Sequence, residues 1–63
     1  MPRTLAYANP DVLRWARESA GFSPNDAAER IGIPTYQLEM AEQGVDYLTL
    51  RQAERAADAY ERR

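Results

Sequence analysis

Three glycines, Gly21, Gly32 and Gly44, cut this chain into short segments. Each follows a stretch with apolar residues at helical spacing. Glycine enters the left-handed conformation that commonly ends a helix, which residues bearing a Cβ reach only at a steric cost. The starts are marked as clearly as the stops. Asn9-Pro10-Asp11 reads as an N-cap, a proline in the first helical position and an acid in the first turn. Ser23-Pro24-Asn25-Asp26 repeats that order. Pro34 or Thr35 takes the cap of a third segment. Thr49-Leu50-Arg51-Gln52 has the form of a capping box. The punctuation predicts helices over about 10–20, 24–31, 35–43 and 50–61, in a domain over 9–63 preceded by an arm over 1–8.

The expected inner faces follow the i, i+3, i+4 rule. They are Val12, Leu13, Ala16 and Ala20, then Ala27, Ala28 and Ile31, then Leu38 and Ala41, and finally Leu50, Ala53, Ala56, Ala57 and Tyr60. Eleven alanines and few β-branched residues favour helix over strand. A chain of 63 residues buries only about 60% of its unfolded surface, so the core must be compact. The fold class is all-α, a compact four-helix domain. Two short helices joined by Gly32-Ile33-Pro34 have the spacing of a helix-turn-helix, the alternative being a generic αα-hairpin in a small bundle.

Missing residue types narrow the chemistry. The chain has no cysteine and no histidine, and its eight cations are all arginine. Disulfides, thiolate metal sites and the commonest general base are absent from the sequence. No catalytic activity, cofactor or metal is expected. Glu39, Glu42 and Asp46 are conceivable metal ligands, but a calcium-type loop is absent. No window resembles a signal peptide or a membrane span, so the expected compartment is the cytoplasm and no membrane partner is expected. The unterminated helical pattern at Tyr60-Glu61-Arg62-Arg63 suggests a piece of something longer.

From Leu13 to Tyr60 the chain resembles the phage-repressor-like (Cro/XRE) helix-turn-helix family. The residues that carry this are Leu13, Arg17, Gly21-Phe22-Ser23, Ala28, Gly32-Ile33, Leu38, Glu42, Gly44, Thr49-Leu50 and Ala56. Asn9-Pro10 and the run Arg14 to Gly21 look like domains that precede an ImmA/IrrE-type zinc peptidase in bacterial and phage-derived regulators. No His-Glu-x-x-His occurs here, so such a peptidase would lie outside the chain. The resemblance implies a transcriptional regulator, such as a repressor, that binds double-stranded operator DNA through helix 3, as a homodimer. It places DNA contacts at Pro24 and Asn25, then at Thr35, Tyr36, Gln37 and Met40, with Gln43 near the helix end. Gln37 would read adenine by a bidentate amide contact, Thr35 would meet phosphate or a thymine methyl, and Tyr36 would donate its hydroxyl to a phosphate. It also implies a structural ion pair between Arg17 and Glu42. Its usual large apolar residue is replaced by Ala41 and its usual loop proline by Leu48, so Leu48 is expected to fill the gap.

Charge argues the other way. The chain carries net −2, and residues 18–48 hold six acids against Arg30 alone. Phosphate neutralisation dominates DNA affinity, so an acidic helix-turn-helix is poorly equipped for it. The alternative is a protein-interaction domain that kept the fold and lost DNA binding. Trp15 stands off the inner stripe of helix 1. It either packs under the arm, on Tyr7 or near Tyr60, or it joins Tyr60 as an interface anchor.

Overall fold

The computed structural model describes residues 7–61, and the expected arm lies mostly outside them. Four helices are present: α1 (Pro10–Ala20), α2 (Pro24–Ile31), α3 (Thr35–Glu42) and α4 (Leu50–Glu61). Asn9 Oδ1 accepts from the backbone N–H groups of Asp11 and Val12 at 2.9 and 3.3 Å. Ser23 Oγ accepts from Asp26 N at 3.2 Å. At α4 the box is reciprocal: Gln52 N donates to Thr49 Oγ1 at 3.1 Å, and Thr49 N donates to Gln52 Oε1 at 3.0 Å. Each bond satisfies a first-turn donor that the helix itself leaves open. Pro34 caps α3 by backbone geometry, with no side-chain bond.

Gly32 makes the turn between α2 and α3. Its φ of +88° is left-handed, and both Gly32 N and Ile33 N return to Ala28 O. α3 ends one residue before the expected position 43. Gln43 stays right-handed, and Gly44 turns the chain at φ +79°.

α2 packs on α3 and α4, and α1 packs on both α3 and α4. Leu13, Ile31 and Leu38 are the largest fully buried side chains, surrounded by seven buried alanines. Small side chains at these contacts let short helices approach closely. Tyr7, Phe22 and Tyr60 close one end. Ring centroids of Tyr7 and Phe22 lie 6.1 and 6.0 Å from that of Tyr60.

Two expected core positions are corrected. Ala20 is exposed, because the last turn of α1 overhangs a surface groove rather than a neighbouring helix. Leu50 is 66% exposed at the first turn of α4, before that helix reaches the core. Half-buried Leu48, from the preceding loop, packs against the core instead.

Candidate nucleic-acid interface

The second helix of the turn, α3, divides its residues cleanly. Leu38, Ala41 and Glu42 face inward and are buried. At about 100° per residue, Tyr36, Glu39, Met40 and Gln43 fall within about 100° of arc. All four are exposed. Thr35 and Gln37 flank that stripe and are half-buried. Asn25 is exposed at the start of α2. The candidate DNA contacts are thus gathered on or beside one outer face, except Asn25, which belongs to the neighbouring helix start.

Gln37 is not a free side chain. Its Nε2 donates to Gln52 Oε1 at 3.2 Å, the oxygen that also accepts from Thr49 N. Nothing in the spacing of the two glutamines announced this contact, since they lie on different helices. It places the first turn of α4 against the flank of α3.

The acidity of the middle segment is redistributed by folding. Glu42, on the inner side of α3, accepts from Arg17 Nε at 2.7 Å and from Arg17 Nη2 at 3.1 Å. Both residues are buried. Arg17 Nη1 donates to Phe22 O at 2.9 Å, so the guanidinium also fixes the turn after α1. The hydrogen bond to Glu42 is the main reason the guanidinium holds its proton more tightly than usual. Glu39 is left as the carboxylate on the outer stripe of α3. Asp46 accepts from the following backbone N–H of Tyr47 at 2.8 Å. With Glu42 turned inward, Glu39, Glu42 and Asp46 do not converge, and no metal-binding cluster of acids exists among the described residues.

The arginines are also committed. Arg14 approaches Asp11 at 3.4 Å, Arg30 lies 5.1 Å from the centroid of the Phe22 ring, and Arg55 Nη1 donates to Ile31 O at 3.3 Å. Among the described residues, Arg51 is the cation with no such partner, and it is exposed. It immediately precedes Gln52 and so stands at the α4 turn that touches Gln37. The N-terminus of α3, capped by no side chain, leaves its first N–H groups open to an outside acceptor such as phosphate.

Tyr60 is buried, where an interface anchor would stand exposed. Its ring is buried between Tyr7 and Phe22 because the inner stripe of α4 carries it into the aromatic end of the core. Trp15 is 67% exposed on the rim of a groove of about 310 Å³ that Tyr7, Phe22 and Tyr60 also line. Cover by the arm, one reading of Trp15, lies outside the described residues. Tyr7, the last aromatic before α1, lies outside the helical stripes that mark the core in the sequence. It is buried, and its hydroxyl donates to Glu61 Oε2 at 2.8 Å.

No helix among the described residues is long and apolar enough to cross a membrane. The chain has no match among curated proteins or solved structures. Its sequence does match the family model described as a helix-turn-helix domain over residues 11–62, which include all of the four helices but Pro10, and the turn at Gly32. The chain belongs to the helix-turn-helix domain family.

Proposed function

We propose that this domain binds operator DNA by seating α3 in the major groove, as part of a bacterial or phage-derived transcriptional regulator. The observation that carries the reading is a juxtaposition. Exposed Arg51 immediately precedes Gln52, which bonds Gln37 on the flank of α3, the start of α3 has no side-chain cap, and Glu42 is withdrawn onto Arg17. An outer face with one carboxylate opposes phosphate far less than the sequence charge implies. Tyr36 and Thr35 sit where a hydroxyl meets phosphate, Met40 offers apolar contact to a thymine methyl, and Gln37 and Gln43 offer amides to base edges. Asn25 serves the backbone from α2.

So small a cationic contribution calls for two copies, and a homodimer on a two-fold operator supplies that avidity. In this reading Trp15, exposed on α1 away from the α3 face, is available to an interface. The regulator works in the cytoplasm, with no chemistry in this domain. Any ImmA/IrrE-type peptidase belongs to another part of the same protein.

A salt titration of binding to random duplex DNA tests the reading. A DNA reader shows log affinity falling with log salt at a slope of about −0.9 per phosphate contacted. Absence of binding at low salt would replace it with protein docking. That second reading draws on Tyr36, Val45, Tyr47 and Leu50, which are 64–72% exposed on α3, the loop after it and the start of α4.

A further inference from the structure

We infer that Gln52 is a positioning residue for base readout: the capping box of α4 holds the Gln37 amide in one orientation and so gives it a preference for adenine. The inference rests on the DNA-binding reading above. A glutamine amide has nearly equivalent faces and can turn over, exchanging its oxygen for its nitrogen. An untethered Gln37 would present either polarity to a base. Here Nε2 is held 3.2 Å from Gln52 Oε1.

That oxygen is itself fixed. It accepts from Thr49 N at 3.0 Å, while Gln52 N donates to Thr49 Oγ1 at 3.1 Å. One carbonyl oxygen with two lone pairs therefore closes the helix cap and tethers the reading side chain. The tether uses one of the two Gln37 N–H donors. The other donor and Oε1 remain, which is the pair that adenine N7 and N6 require.

Burial supports this. Among the described residues the buried side-chain polar atom lacking a partner is the Tyr60 hydroxyl. Gln37 Oε1, which has no partner there either, must therefore touch solvent. Guanine offers two acceptors at the same edge, N7 and O6. An amide with a fixed oxygen meets O6 with like polarity, and tethering keeps it from turning over to relieve the clash. A buried or oriented polar group left unpaired discriminates more strongly than a missing apolar contact.

The test is site selection from a randomised duplex library, followed by anisotropy titrations on the selected site and its A→G variant. The full chain is compared as wild type, Gln52→Glu, Gln52→Ala, Thr49→Ala and Gln37→Ala. Wild type and Gln52→Glu, which keeps the accepting oxygen, should favour adenine over guanine at one position by at least about fivefold, the lower end for a bidentate contact. Gln52→Ala should lose that preference as fully as Gln37→Ala, with an unchanged salt slope. Thr49→Ala breaks half of the cap but not the tether, so it should lower stability and keep the preference. Gln52→Asn, one methylene shorter, makes the same comparison if the alanine variant does not fold. Wild-type preference in a folded Gln52→Ala or Gln52→Asn variant overturns the inference while DNA binding stands. Failure of the wild type to bind duplex at any salt overturns both.

Discussion

Arg17 on α1 and Glu42 on α3 meet through two N–H···O bonds of 2.7 and 3.1 Å, 25 residues apart in sequence and buried together. The fork geometry matches guanidinium to carboxylate. Removing one partner leaves the other charge buried without compensation. Arg17→Met or Glu42→Met should each lower stability by about 3–5 kcal/mol. The double variant should be clearly less destabilised than the sum of the two. Urea unfolding of all four proteins measures the coupling, and additive losses would show that the two side chains do not act as a pair. Arg17→Met should be the worse single change, because it also removes the bond to Phe22 O.

The Tyr60 hydroxyl is buried without a hydrogen-bond partner among the described residues. Burial, with the Glu42 charge adding to it and Arg17 opposing, pushes this phenol well above its ordinary value. The unfolded phenol ionises near pH 10, while the folded one keeps its proton. Above that pH the unfolded state binds fewer protons, so stability falls as pH rises. Tyr60→Phe removes the unpaired hydroxyl and should raise stability at pH 7 by about 1 kcal/mol. It should also remove this group's share of the loss above pH 10. Denaturant melts at pH 7 and above pH 10 check both, and a Tyr60→Phe protein less stable at pH 7 would reveal a partner for the hydroxyl.

Much of the fold is written in local chemistry. Asn9, Ser23 and the Thr49–Gln52 pair mark helix starts within a few residues of the donors that they satisfy, so their meaning survives in sequence. Periodicity also identifies the inner faces through Leu13, Ile31, Leu38 and Ala56. It gives Ala20 and Leu50 wrongly because a stripe describes one helix and not how far its neighbours overlap its ends. The Arg17–Glu42 position came from resemblance, since no spacing rule links residues on different helices. For the same reason the tether from Gln37 to Gln52 was invisible, and so was the burial of Tyr7 on Tyr60. The charge of residues 18–48 counts Glu42 with the surface acids although it is buried on Arg17; Glu18, Asp26, Glu29, Glu39 and Asp46 do stay exposed.

Gly32 shows how a turn and a side chain share space. A Cβ there would lie 2.9 Å from Arg55 Nη1, which donates to Ile31 O, whereas a Cβ on Gly21 would meet nothing within 4 Å. Both glycines are left-handed, so alanine at either should cost about 1–2 kcal/mol in backbone strain. Gly32→Ala should cost a further ~1 kcal/mol by displacing the Arg55 bond. In an Arg55→Ala background the two glycine substitutions should become equal. Thermal melts of the four variants suffice, and an undiminished difference without Arg55 would assign the extra cost to the turn itself.

Glu39 shares the outer stripe of α3 with Tyr36, Met40 and Gln43, and is exposed. Its removal should leave stability within about 0.5 kcal/mol, as for most surface changes. Its effect on DNA should be larger, because a carboxylate facing phosphates opposes the term that dominates affinity. Glu39→Gln should bind duplex several-fold more tightly than wild type at low salt. Glu39→Lys should bind more tightly still, with a salt slope steeper by about 0.9 for one added phosphate contact. Anisotropy titrations between low and moderate salt read both quantities. An unchanged slope in Glu39→Lys would mean that this face of α3 does not approach the DNA backbone, and the groove-seated orientation of α3 would then be wrong.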